Sequence, residues 1–584
     1  MVDPQAVLAE HVQAAMGSAF GPEHAHRDPI VRPSSHADFQ ANAALALAKV
    51  VGLPPREVAA RIVQHLQVSH VCRDVAVSGP GFVNLTLHED WLAARVAEVG
   101  ADPRRGVPVQ PRQIIPIDYS APNVAKEMHV GHLRTTIVGD ALARVLEHLG
   151  HDVVRQNHIG DWGTPFGMLI EHLLDVGEDS PEAGLLASDP NAFYQAARAR
   201  FDASPKVADR ARRRVVLLQG GDPDTLRLWR ELVERSTLYF NTVYATLGVT
   251  LTDEDLAGES MYNDQLAAIC DELEQAGLAV VSDGALCVFL EGHTGREGRP
   301  LPLIIRKSDG GYGYATTDLA TIRYRVRQLH ADRVLYVIGA PQSLHLQMVW
   351  ETARRAGWLP PEVTPVHVQI GNVLGTDGKI LRTRSGASLR LMALLDEAVE
   401  RAAAVVAARR PELTDAARAV IAHEVGIGAV KYADLSVAHD SEYVFDFDRM
   451  LALQGNTGPY LQYVVARIRS VFRKAGTTPG AARTGADRRG VPVVLGDPTE
   501  RALALALLGF GPVVAQVGDT LEPHRLCTYL FELAQSFTAF YEQCTILQAE
   551  DPGVRASRQA LSATTLAVMV RGLDLLGILA PEEM

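Results

Sequence analysis

Two histidines three residues apart, His129 and His132, stand with Gly131 between them inside Asp118-Tyr-Ser-Ala-Pro-Asn-Val-Ala-Lys-Glu-Met-His-Val-Gly-His-Leu-Arg134. A short apolar run, Ile114 to Ile117, precedes this stretch, and a helix-type periodicity follows from Leu133 to Leu149 until Gly150 stops it. The junction of a strand with the first turn of a helix binds anions, because free backbone N–H groups and the positive end of the helix dipole meet there. On one helical turn both imidazoles share a face and can donate to one phosphoryl group. Gly131 removes a side chain, which would let a flat base lie against the backbone. Taken alone, a His-x-x-His pair reads as two surface histidines or as a pair of metal ligands. Neither a His-Glu-x-x-His pattern nor a nearby cysteine completes a metal cage, so phosphate contact is the better reading and neither zinc nor another resident metal is expected.

The elements around this stretch must hold it at the edge of a sheet. Val153 and Val154 open a second strand, and strand, helix and strand in close succession predict a βαβ unit with a parallel sheet. Apolar runs at Leu303–Ile305, Val334–Ile338 and Val366–Ile370 continue that sheet after a charged, mostly helical insertion over about 172–300. The fold class is therefore α/β, a Rossmann-type parallel-sheet domain over 106–395. An N-terminal α+β domain over 1–105 precedes it, and an all-α helical bundle over 396–584 follows. Gly79-Pro-Gly-Phe-Val-Asn-Leu-Thr-Leu87 predicts a turn and a strand, Gly100–Pro111 a linker, and Leu395–Ala407 and Tyr460–Lys474 predict helices. Ala475–Asp497 predicts a loop within the helical domain.

Composition narrows the class of protein. Across 584 residues the formal charge is −13, which excludes a uniformly basic nucleic-acid coat but leaves room for local patches. Five cysteines without a Cys-x-x-Cys pair argue against a disulfide framework and fit a reducing, cytoplasmic compartment. The apolar run Ala502–Ala515 is too short to span a bilayer.

The histidine stretch resembles the His-Ile-Gly-His signature of class I aminoacyl-tRNA synthetases, with Val130 replacing isoleucine. Its flanks, Ser120 to Arg134 and Gln156-Asn-His-Ile-Gly-Asp-Trp-Gly163, resemble the arginyl-tRNA synthetase family. His36-Ala-Asp-Phe-Gln-Ala-Asn-Ala43 and Gly79–Asn84 are similar to the family's N-terminal domain, and Gly455–Tyr463 and Gly572–Gly577 to its anticodon-binding domain. The resemblance implies ATP with Mg2+, L-arginine and arginine tRNA as substrates, no prosthetic group, a monomer, and amino-acid activation that waits for bound tRNA.

It also implies roles for residues. Lys379-Ile-Leu-Arg-Thr383 stands where the family carries its second signature, Lys-Met-Ser-Lys-Ser, with Arg382 in place of the second lysine. Lys126 occupies a position whose lysine can compensate. Lysine occurs at seven positions only, so finding Lys126 and Lys379 in the two phosphate motifs is informative. His129, Gly131, His132 and Lys379 would bind ATP, and the resemblance sets Lys126 and Arg382 beside them on the phosphates. Asp318 would face the substrate guanidinium with Tyr314 beside it, a pair four apart on a helix start. Asn123 and Gln342 match two further pocket positions, and Asp118 and Ser120 lie near the α-amino group. For tRNA the candidate surface is Arg467, Arg469, Arg473 and Lys474, with Tyr460 and Tyr463 for base stacking. Arg210, Arg212, Arg213 and Arg214 read as a solvated run without a role.

Overall fold

The computed structural model describes residues 3–295, 298–381, 389–478 and 493–584. Four parallel strands form the central sheet in the order Thr364–Ile370, Arg333–Gly339, Ile114–Asp118 and Asp152–Gln156. The first of these four in sequence, Ile114–Asp118, lies inside the sheet, and the order reverses between it and Arg333–Gly339. Ligands of such sheets bind in the crevice beyond the strand ends at that reversal. Asp118 ends one of the two strands and Gly339 the other.

Helix Val130–Leu149 leaves the crevice from strand Ile114–Asp118 and is buried on nearly every side. Gly150, at φ +101°, terminates it as expected. A helix apolar all round needs cover on all sides. The sheet, the insertion and the C-terminal helices supply it.

The insertion is mostly helical as expected, and two of its helices start where an aspartate cap precedes proline. Asp189 accepts the N–H of Ala192 at helix Pro190–Ala203, and Asp222 accepts that of Thr225 at helix Pro223–Leu247. Leu303–Ile305 corrects the reading of the sheet. This run belongs to strand Pro300–Arg306 of a separate antiparallel sheet, in the order Ala279–Ser282, Ala285–Thr294, Pro300–Arg306. The turn at Asp283-Gly284, with both residues at positive φ, builds its hairpin, and one wetted face separates it from a doubly covered parallel strand.

The N-terminal part is a four-stranded antiparallel sheet flanked by helices, and Gly79–Gly81 turns its hairpin between Ser78 and Phe82. Beyond residue 390 the described chain is almost wholly helical. Position 395 falls inside the continuous helix Leu391–Arg409, and strand Tyr443–Val444 still pairs with Val373–Leu374 of the catalytic part. The apolar stretch around Ala502–Ala515 belongs to a longer segment, Pro498–Thr520, that is long and apolar enough to cross a membrane. It forms two helices, Pro498–Leu508 and Phe510–Thr520, whose Leu503, Leu507, Val514 and Val517 are buried in the bundle. All five cysteines are buried and free.

The two halves lock through helix Val130–Leu149. Arg134 donates to Asp434 of helix Asp415–Leu435 at 3.0 Å, with both side chains fully buried, and to the Ser441 carbonyl at 2.6 Å. Two turns on, Asp140 holds Arg144 at 2.7 Å and the backbone of Thr250 at 2.8 Å. The buried ammonium of Lys431, pushed down to about 8 by burial, donates beside it to the carbonyls of Leu247 and Gly577.

Candidate active site

His129 is the N-cap of helix Val130–Leu149. Its Nδ1 accepts the N–H of Gly131 at 3.1 Å, while its own backbone N–H donates to Nδ1 of His132 at 3.1 Å. Each ring thus has its Nδ1 occupied as an acceptor, and a neutral imidazole in that state carries its proton on Nε2. Burial lowers both, with Lys126 adding to the effect on His129 and the His129 ring to that on His132, which falls to about 3. Both rings, 4.0 Å apart between centroids, are therefore neutral N–H donors at physiological pH. Gly131 has a nearer task than making room for a base. A β-carbon there would sit 2.8 Å from the His129 ring, so glycine is what allows the ring to fold back onto the helix end.

The loop between Asp118 and His129 is stitched to the second motif of the signature. Val124 N–H donates to Gly160 O and Gly160 N–H to Pro122 O, each at 3.1 Å. A β-carbon at Gly160 would lie 2.4 Å from Asn123 Oδ1, so that glycine leaves space for the exposed Asn123 amide. Lys126 projects its ammonium over the ring of Tyr194, 4.5 Å from the centroid. That ring belongs to insertion helix Pro190–Ala203 and escaped the sequence reading, because nothing local marks it.

The second signature begins as a hairpin. Val373–Leu381 turns at Asp377-Gly378, Leu374 pairs with Ile380, and Lys379 is exposed at the tip. Arg382 lies outside the described residues. The chain returns at Leu389, whose carbonyl accepts the N–H of Val130 at 3.1 Å, and Leu391 N–H donates to Met128 O at 2.9 Å. Arg390 reaches Glu127 at 2.8 Å and Asp189 at 3.2 Å. Backbone pairing thus joins the histidine signature to the chain just beyond the second one, about 260 residues on in sequence.

Tyr314 opens helix Tyr314–Arg327 and Asp318 lies one turn on, so the pair sits at the helix start as expected, and Tyr314 is 69% exposed. Asp318 Oδ2 is 2.6 Å from Nε2 of His345, which it holds above the ordinary histidine range. Glu259 was missed from sequence. It is 9% exposed, and burial followed by the charges of Asp318 and Asp161 pushes its carboxyl up to about 8. Asp161 fixes the turn that carries it, accepting from Ser260 N–H at 2.9 Å and Ser260 Oγ at 2.5 Å. Neighbouring carboxylates disfavour one another's charged form, and a cation among them would relieve that cost. Gln342 is exposed just past the end of strand Arg333–Gly339.

Asp118 and Ser120 are both buried. The buried Asp118 carboxylate takes a hydrogen bond from the fully buried Arg325 at 2.8 Å, and Ser120 Oγ is 2.8 Å from Tyr244 OH and 3.0 Å from Thr136 Oγ1. Both form the floor beneath the crevice.

On helix Gly458–Ala475 the arginines divide. Arg467 stacks between Tyr463 and Tyr541, 5.4 and 4.8 Å from their centroids. Arg469 donates to the carbonyls of Ala580 and Pro581, and Arg473 to that of Glu582, so these two hold the chain's own C-terminal segment. Tyr460 packs edge-on against Phe531 inside the bundle, and Lys474 is exposed. Tyr463 also lines an apolar cavity of about 300 Å³ with Val406, Leu451, Arg409, Arg410 and Met584. The run Arg210–Arg214 is not simply solvated, since Arg210 and Arg214 pair with the largely buried Glu171.

A parallel sheet whose order reverses at a histidine-capped helix, with the chain that follows a lysine-tipped hairpin paired to the residues before that helix, is the architecture of a class I aminoacyl-tRNA synthetase. The family described as tRNA synthetases class I (R), catalytic domain, matches residues 97–447. It is flanked by matches to the Arginyl tRNA synthetase N terminal domain over 6–87 and to the DALR anticodon binding domain over 461–584. The chain is 71% identical to the arginine–tRNA ligase of Thermobifida fusca, each covered in full, and 53% identical to that of Frankia casuarinae, with 99% of each covered. It superposes on the crystal structure of Plasmodium falciparum arginyl-tRNA synthetase with a TM-score of 0.83 at 27% identity, over 99% of both chains. The chain belongs to the arginyl-tRNA synthetase family.

Proposed function

We propose that this ATP-dependent ligase joins arginine to the 3′-terminal adenosine of arginine tRNA for protein synthesis, both steps occurring at the crevice. The arginine carboxylate attacks the α-phosphate of ATP, and pyrophosphate leaves. A terminal ribose hydroxyl of the tRNA, the 2′ in this class, then attacks the adenylate carbonyl and expels AMP. No side-chain nucleophile is needed, so the protein supplies positioning and charge stabilisation. His129 and His132 donate through Nε2–H to the oxygens around the α-phosphate. Lys126, Lys379 and Arg382 balance the pyrophosphate, and magnesium enters with ATP as part of the substrate complex.

Asp318 and Glu259 receive the guanidinium, whose planar fork of donors needs carboxylate acceptors. Tyr314, Asn123 and Gln342 border it, while Asp118 and Ser120 lie near the α-amino group. Tyr463, Arg467 and Lys474 with the adjoining cavity are the tRNA face of the C-terminal domain. Arg473 and Tyr460 shape it from behind. The reading includes a monomer acting in the cytoplasm.

One observation carries the catalytic assignment: both Nδ1 atoms are tied to backbone N–H groups, which leaves two neutral Nε2–H donors at a helix N-terminus. The test is arginine-dependent exchange of labelled pyrophosphate into ATP, with and without tRNA and with each other amino acid as control. Exchange with arginine alone is expected. Folded protein that exchanges with no amino acid, or equally with another, would overturn the reading.

A further inference from the structure

Among the described residues eight non-glycines have positive φ, and three of them, Ser120 (+68°), Ala121 (+45°) and Ala125 (+59°), fall in the loop that delivers Lys126 and His129. A β-carbon disfavours this backbone region, and such strain persists only where the surroundings hold it. The holding groups come from one helix of the insertion, Pro223–Leu247. Ser236 Oγ accepts the N–H of Ala125 at 2.9 Å and is itself anchored to the Leu232 carbonyl at 2.9 Å. Two turns on, Tyr244 OH lies 2.8 Å from Ser120 Oγ and accepts from Asn157 Nδ2 at 3.0 Å. Asn157 Oδ1 accepts the N–H of Ala121 at 3.1 Å. All three strained residues are thus tied, two of them directly to this helix, through groups buried from solvent: Ser236, Tyr244 and Asn157. A buried N–H without a partner is unfavourable, so each tie selects the strained conformation over its relaxed alternatives.

We propose that Ser236 and Tyr244 are positioning residues, and that helix Pro223–Leu247 exists in this chain as the brace that holds the histidine loop in its reactive shape. The insertion then serves activation without touching ATP. The catalytic arm of the test rests on the function proposed above; a second arm does not.

The full chain is compared with Ser236→Ala, Ser236→Thr, Tyr244→Phe and the double variant Ser236→Ala/Ala125→Gly. Two quantities are read: kcat and KM in arginine-dependent pyrophosphate exchange, and deuterium uptake of the peptide spanning 119–130. Ser236→Ala is expected to lower kcat about tenfold or more while KM for arginine stays within about twofold, since a displaced loop loses alignment rather than the pocket. Uptake by the loop rises. Ser236→Thr keeps the hydroxyl and the parental values. Tyr244→Phe, which removes one oxygen and no volume, moves both readouts in the direction of Ser236→Ala. Glycine takes the left-handed region without penalty, so Ala125→Gly restores about fivefold of the rate lost in Ser236→Ala and slows uptake again.

Parental kcat in both Ser236→Ala and Tyr244→Phe, or a double variant no better than Ser236→Ala, would overturn the proposal. If the parent itself shows no arginine-dependent exchange, the proposed function fails. Deuterium uptake, which needs no turnover, then decides the brace.

Discussion

Glu259→Gln separates charge from shape at the bottom of the proposed arginine pocket. The carboxyl of Glu259 is displaced from 4.5 to about 8, a preference for the neutral form of about 5 kcal/mol. A guanidinium stays charged throughout the working range, so it binds the ionised carboxylate and must drive a proton off whenever the pocket is empty and protonated. About a tenth of the pockets are ionised at one unit below the midpoint, and kcat/KM for arginine should rise close to tenfold per pH unit until it levels off near pH 8. Release of the proton that Asp318 holds on His345 adds a contribution of the same sign. In Glu259→Gln the rise shrinks to the part owed to His345, and KM for arginine at about pH 8.5 increases about 10²-fold, the scale of removing one member of a buried charge pair.

Stability moves the other way. The folded-state value lies above the unfolded one, so the contribution of Glu259 to stability is complete below about 4.5 and lost as pH rises through about 8. Glu259→Gln should therefore melt higher than the parent at about pH 8.5 and no higher at about pH 4.5. Initial rates of pyrophosphate exchange from about pH 6 to about pH 8.5 in the presence of tRNA, with thermal melts at both ends, make the measurement. A parental profile that is flat over this range, or a variant that keeps the parental KM, would refute the reasoning.

Other outcomes follow from the same geometry. His132→Ala, which removes one Nε2–H donor, should slow arginine activation about 10²-fold in single-turnover assays while tRNA affinity by filter binding holds. Asp434→Ala strands the buried Arg134 guanidinium and should cost about 3–5 kcal/mol in denaturant unfolding. Arg467→Ala should weaken tRNA binding and lower the slope of log Kd against log salt by about one unit if its guanidinium meets a phosphate, with arginine activation measured at saturating tRNA unchanged.

The histidine loop was legible because everything that defines it is contiguous: strand, anion-binding turn, helix and glycine stop occupy one stretch. Tyr314 and Asp318 could be placed on a helix start for the same reason. Glu259, His345, Tyr194, Ser236 and Tyr244 could not, since each enters the site from an element whose local pattern is that of an ordinary helix or turn. Their convergence exists only in the tertiary arrangement. The bonds of Arg469 and Arg473 were not legible because spacing gives a helix face but not its neighbour, which here is the chain's own C-terminal segment. Leu303–Ile305 shows the limit of apolar runs: three residues look alike in a parallel sheet and in a separate antiparallel one, and the pairing with Ala285–Thr294 that tells them apart is tertiary.

The Arg134–Asp434 lock has a consequence for inheritance. A chimera of two relatives whose junction falls between helix Val130–Leu149 and helix Asp415–Leu435 would carry one half of a fully buried ion pair into a partner shaped by a different history. Neither residue can change alone without leaving a charge stranded in the core. The two positions, 300 residues apart in the chain, therefore form a single hereditary unit, free to drift only in step, and recombination between them is filtered wherever the partners do not match.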